Sequence, residues 1–177
     1  MDPPPAAHVV GGGFHCGAVL EVPTKAEPSQ AARRDRWTAW LRTMLLREHQ
    51  LRETLESHRR RVPSSLLTRY EALLGLSEAR LRTLEDALKL RGQKLAGLPL
   101  AGVRAAGRLA GALTQWGGAR RILSMDLDGV RGLEKSYFEA FHDDPPPDIS
   151  SALCGFIAQL ESERSGLVAE VEPLFVK

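Results

Sequence analysis

The chain has 177 residues, 43% of them apolar and 26% charged, with a formal net charge of +2. That length suits one domain with a buried core, and the composition excludes a largely disordered chain and gives no case for a polyanionic partner. The charge is uneven along the chain. From Ile122 onward eleven Asp/Glu stand against four Lys/Arg, a local −7, and the preceding residues carry twenty basic against eleven acidic groups, +9. Two readings of that split stand: attraction between the halves of one domain, or a basic outer face for phosphate or lipid headgroups. Two cysteines, Cys16 and Cys154, make neither a disulfide framework nor a CxxC knuckle, and they fit a reducing compartment. The first residues lack a basic stretch followed by an apolar one, so no secretory signal is expected. The expected location is the cytoplasm, with contact at the inner membrane surface as an extension of it.

Residues 1–28 hold Pro3-Pro4-Pro5 and Gly11-Gly12-Gly13 and read as a flexible tail, with a short strand over Phe14–Val22 as an option. Residues 29–177 read as one helical domain. The first helix is expected from about Gln30 to Arg60, with Trp37, Leu41, Met44, Leu45, Glu48, Leu51 and Leu55 on one stripe. Basic residues at its end suit the helix dipole, and Val62-Pro63 stops it. Pro63 suits the first turn of a second helix reaching about Arg91. Leu66, Leu67, Tyr70, Leu73, Leu74, Leu81, Leu84 and Leu88 form its stripe, and Gly92 ends it.

Leu95–Trp116 differs in kind, with Gly97, Gly102, Gly107 and Gly111 among Ala and Leu. Its length raises the question of a membrane span, which Arg104 and Arg108 make costly. Two readings stand ahead of a span. Gly107 and Gly111 admit a neighbouring backbone, or the segment lies on a membrane as an interfacial helix. A break near Trp116-Gly117-Gly118 is expected to kink one long third helix, which resumes over Ala119–Phe141. Asp148 is the expected N-cap of the last helix, which carries Ile149, Leu153, Phe156, Ile157, Leu160, Leu167, Val168 and Val171 inward and closes at Pro173. Short links favour antiparallel neighbours, hence an all-α, up-and-down four-helix bundle.

From Ala79 to Leu167 the pattern resembles one family. Pro99-Leu100 is followed by a Gly/Ala-rich helix (Gly107, Gly111, Ala112, Leu113), a turn at Gly117-Gly118, and a helix with Asp128 and Tyr137. This is similar to the demethoxyubiquinone hydroxylases, ferritin-like di-iron proteins. The resemblance implies a ferritin-like bundle and, in the family, a Glu-x-x-His pair on each of two helices. Here those pairs fall on Ser77-Glu78-Ala79-Arg80 and Glu161-Ser162-Glu163-Arg164, so arginine replaces both histidines. Guanidinium stays protonated and cannot ligate a metal. It can replace a metal's positive charge, and Arg80 or Arg164 is therefore expected to pair with Glu48, Glu53, Asp128 or Glu161 at the bundle centre.

The leading functional expectation is a non-catalytic, metal-free and cofactor-free bundle, a structural or protein-interaction module. The alternative is a di-iron oxidoreductase using Glu48, Glu53, Asp128 and Glu161 on a quinone-like substrate at the membrane surface. A protein partner or a homodimer and a weak membrane contact are the expected partners, and nucleic acid is not. His49 and His58 are expected in solvent. His8 and His15-Cys16 make too few ligands for a metal site. No phosphate loop or nucleophile elbow is present.

Overall fold

The computed structural model describes residues 29–175, and every regular element among them is helical. The expected tail, its strand option, His8 and His15-Cys16 lie outside the described residues. Helix α1 spans Gln30–Arg59 and opens on Ser29, whose hydroxyl accepts from the Ala32 amide at 3.2 Å. That satisfies one of the donors a helix start leaves unpaired. A single 3-10 turn over Ser64–Leu66 stands where Pro63 was expected to start a helix, and α2 spans Leu67–Leu90. Gly92, at φ +72°, follows its end. Beyond a 3-10 turn at Leu95–Gly97 come α3 (Leu100–Leu113), α4 (Gly118–Phe141) and α5 (Pro147–Val171). Pro146 is the N-cap of α5, so Asp148 lies in its first turn rather than capping it.

Contacts along the chain set the helix directions. Gln93, just past the end of α2, and Glu71 on it meet Arg42 and Arg59 of α1, so α1 and α2 run antiparallel. Asp143, just past the end of α4, and Ser136 and Asp126 on it meet Arg36, Arg47 and His58, so α4 is also antiparallel to α1. On α5, Asp148 meets Arg91 at the C-cap of α2, and Glu163 and Glu170 meet Arg80 and Arg69 of α2. Helix α3 runs parallel to α1: Gly107 lies against Gln50 and Glu53, and Gly111 against Thr54 and Ser57. Helices α2 and α4 therefore point the same way, and α3 carries the chain back between them. This corrects the up-and-down expectation for the α2–α4 link, which is a crossover.

It also corrects the kinked third helix. The chain reverses at Gly117-Gly118, leaving two helices in opposite directions. Gly118 has φ +67°, a conformation that costs any side chain and suits glycine. The reason α3 fits so closely on α1 is steric. A Cβ on Gly107 would sit 2.6 Å from the Gln50 carbonyl oxygen, and one on Gly111 2.6 Å from Ser57 Cβ. The packing reading of these two glycines is the one the structure contains.

The core lies between α1, α2, α4 and α5. Leu45, Leu55, Leu84, Leu88, Leu123, Leu153 and Leu160 are fully buried there. All seven stripe positions expected on α1 are buried, Glu48 included. On α2, Leu67 is exposed at 38%, whereas Leu66 before it and Tyr70 one turn on are buried. Trp37, Trp40, Tyr137 and Phe156 form a chain of rings with centroids 5.2 to 5.7 Å apart, the first two pairs edge-to-face and the last tilted. No helix among the described residues is long and apolar enough to cross a membrane.

Candidate functional site

A charged node sits in the middle of this core, and each long helix supplies part of it. On α1, Glu48 occupies the Leu41–Leu45–Glu48–Leu51 stripe and is completely buried. On α2, Ser77 and Arg80 lie three apart on one face, both at 0% exposure. Arg80 donates from Nε to Glu48 Oε1 at 2.6 Å, from Nη1 to Glu163 Oε1 at 2.6 Å, and from Nη2 to Glu163 Oε2 at 3.4 Å. Tyr137 of α4 donates to Glu48 Oε1 at 3.0 Å, and Ser77 to Glu48 Oε2 at 3.1 Å. Glu163 comes from α5. The guanidinium is thus a bridge between two carboxylates that face each other across the core.

The electrostatics follow from burial. Removing Arg80 from water favours its neutral form, but Glu48 and Glu163 outweigh this and hold its pKa above the ordinary value. The cation is fixed. Burial raises the Glu163 pKa; Arg80 opposes that rise and Glu48 adds to it. Tyr137 is pushed up by burial first and by Glu48 next. With both carboxylates ionised the node carries −1, and Glu163 is the member whose shift favours taking up a proton.

A second buried layer lies ten residues further along α1, about 15 Å away at 1.5 Å per residue. His58 Nδ1 is 2.8 Å from Asp126 Oδ1, and His58 Nε2 is 2.5 Å from Thr114 Oγ1. Tyr70 donates to the other Asp126 oxygen, and burial, then Asp126, raises the Tyr70 pKa. Hydroxyl, imidazole and carboxylate stand in the order of a nucleophile relay. Thr114, however, is 6% exposed and its hydroxyl also lies 2.9 Å from the Gly111 carbonyl. The layer therefore joins α1, α2, the α3–α4 turn and α4 and offers no exposed nucleophile.

The expected residues distribute as follows. Arg80 and Glu48 pair as expected. Glu161 does not join them; its side chain is 65% exposed. Arg164 is half-buried away from the node, with Glu134 at 2.9 Å and Glu161 at 3.9 Å. Asp128 is 78% exposed near Arg131. Glu53 faces α3, with Arg52 at 3.9 Å and Arg108 at 4.0 Å. Glu48, Glu53, Asp128 and Glu161 therefore do not converge, because only Glu48 lies on an inward stripe. Arg104 and Arg108 are exposed but share one side of α3 with the buried Gly107 and Gly111, at the edge of the α1 contact.

Both histidines expected in solvent are buried. His58 completes the series Leu51–Leu55–His58–Val62, and His49 lies four after Leu45. His49 is 4% exposed and neither ring nitrogen has a partner. Burial, then Arg104, lowers its pKa. Two further members had a legible signal that the di-iron spacing obscured. Glu163 completes Leu153–Phe156–Leu160–Glu163–Leu167, and Asp126 completes Ile122–Asp126–Val130–Leu133–Tyr137. Each is an acid on an apolar stripe.

The donor set does not fit a di-iron centre. The guanidinium of Arg80 fills the space between Glu48 and Glu163. Among the described residues no three His, Cys, Asp or Glu side chains are grouped to hold a metal ion. Comparison with protein-family models, with curated proteins and with solved structures gives no match.

Proposed function

We propose that this protein is a non-catalytic, metal-free four-helix bundle of ferritin-like layout that serves as a structural or protein-interaction module. The observation that carries the reading is Arg80, which spans the two carboxylates at the centre with all three nitrogens engaged. A guanidinium there supplies the positive charge that a metal supplies in a di-iron bundle, and it leaves no ligand position open. The layout supports the ferritin-like part: an α1–α2 hairpin and an α4–α5 hairpin are joined by one long crossover, as in ferritin-like folds. The node's role in this reading is to set register. Glu48, Arg80, Tyr137 and Glu163 pair only when all four long helices are in place, so a slipped helix leaves a buried charge unpaired.

Thermal unfolding with and without added Fe(II), Mn(II) or Zn(II) tests this. A metal that binds the folded chain raises the melting temperature by mass action. The expected result is no saturable rise with any of the three. A saturable rise that is lost in both Glu48→Gln and Glu163→Gln overturns the reading.

A further inference from the structure

We infer that the groove between α3 and α4 is the docking site of this chain's own segment Phe14–Val22. Helices α3 and α4 meet at the reversal at Gly117-Gly118, each packs on α1, and a groove lies between them with α1 at its base. It holds about 280 Å³, with Leu51 of α1, Ala110 of α3, and Met125, Gly129 and Gly132 of α4 on its walls. A Cβ on Gly132 would meet nothing within 4 Å, so the groove stands open there. Leu51 and Leu133, which also line it, belong to the core, so the groove carries the core's apolar surface outward. Leu113 follows Ala110 by three, shares its side of α3, and is 63% exposed.

Sequence, reach and charge choose the occupant. In Phe14–Val22 every second residue (Phe14, Cys16, Ala18, Leu20, Val22) is apolar, and those between include His15, Gly17 and Glu21. An extended chain with that alternation lays one apolar edge into a groove and leaves its other edge in water. Pro23 and Pro28 bias the link to Ser29 toward extended backbone. The distances match. Going back from Ser29, Glu21 is about 26 Å away and Ala18 about 36 Å, at about 3.3 Å per residue. Going along α1 from Ser29, Arg47 is about 27 Å away and Thr54 about 37 Å, at 1.5 Å per residue. A segment laid back beside α1 therefore brings Glu21, its one carboxylate, to Arg47 at the near end of the groove. Arg47 donates to Ser136 at 2.6 Å and has no carboxylate partner among the described residues. Leu20 and Ala18 then lie over Gly132 and Gly129. A segment tethered at a length that matches the span has an effective concentration on the order of millimolar, which puts it ahead of the same segment from a second copy in dilute solution.

The inference is independent of the node at Arg80, and its failure leaves the reading of that node standing. Cys16, about 43 Å back from Ser29 at the same rise, comes level with His58 and its contact to Thr114, hence beside Ala110 and Leu113. The test is a disulfide from Cys16 in the full chain, with Ala110→Cys or Leu113→Cys in a Cys154→Ser background, oxidised in dilute solution. A bridge needs Cα atoms within about 7 Å. An intramolecular link is expected in at least one of the two variants, read by mass spectrometry and a non-reducing gel. Wild type, whose Cys154 is exposed on α5, is expected to leave Cys16 unlinked. Leu20→Asp and, separately, Gly132→Leu, which fills the open groove, are each expected to abolish the link. Circular dichroism checks that every variant folds. Failure of both cysteine variants to link overturns the inference, as does an equal yield with Leu20→Asp or an equally ready link to Cys154 in wild type. A link formed only between chains also overturns it, since that gives the groove to a second copy.

Discussion

Replacing Arg80 by alanine removes the cation that lies between two carboxylates, both buried. Glu48 is 0% and the Glu163 side chain 2% exposed. The variant loses hydrogen bonds of 2.6, 2.6 and 3.4 Å to charged acceptors and leaves both acids without their cation. Breaking a buried pair in this way costs about 3–5 kcal/mol. For a chain of this size each kcal/mol corresponds to about 2–4 °C, so the melting temperature is expected to fall by roughly 6–20 °C. Arg164→Ala is the control: its side chain is 33% exposed and pairs with a half-buried Glu134, a partly solvated contact expected to be worth about 1 kcal/mol. Arg80→Lys restores the charge but not the three-nitrogen geometry and is expected to lie between wild type and Arg80→Ala. Arg80→Met with Glu48→Gln and Glu163→Gln removes every node charge and is expected to be more stable than Arg80→Ala alone. Urea or thermal unfolding reads all four. An Arg80→Ala loss no larger than that of Arg164→Ala would refute the node.

Two predictions concern pH. The Glu163 pKa is raised above its ordinary 4.5, so the folded chain binds its proton more readily than the unfolded chain. Stability from this group therefore falls as pH rises from 4.5 through the raised value, and Glu163→Gln should flatten that part of the stability curve. His49 is opposite in sign: its pKa is lowered from 6.5, so its contribution is present above 6.5 and is lost as pH falls toward the lowered value. The groups around it are Arg52 and Glu53 on α1, Glu78, Arg82 and Glu85 on α2, and Arg104 on α3. His49→Leu should lose less stability than wild type between pH 7.5 and the acid side of 6.5, and equal losses would contradict the unpaired burial of that ring. A third prediction concerns α3. Gly111→Ala drives a Cβ into Ser57 and should cost about 1–3 kcal/mol, whereas Gly102 has open space around it and Gly102→Ala should stabilise by roughly 0.5–1 kcal/mol.

The all-α class and the inward stripes were legible because Leu, Trp and Tyr recur at helical spacing. Arg80, Ser77 and Glu48 were legible because an i, i+3 pair and a stripe position marked them. Glu163 and Asp126 were passed over although each completes a stripe. A borrowed metal-site spacing pointed instead to Glu161 and Asp128, which lie two residues away and therefore face outward. The same physics hid His49 and His58: an arginine-rich neighbourhood suggested solvent, but the residues four before each, Leu45 and Thr54, are buried. The path of α3 was not legible. Its glycines and alanines leave both faces nearly apolar, and Gly117-Gly118 announces a break without a direction. Reversal there depends on Gly118 at positive φ and on the fit of Gly107 and Gly111 to α1, which only the assembled helices define.

The central claim is that a guanidinium stands where a ferritin-like bundle would hold metal. Elemental analysis of the full chain, purified after growth with added iron and without chelators, tests it most directly. The account predicts no stoichiometric iron, manganese or zinc. Two irons per chain, the content of a di-iron bundle, would contradict it.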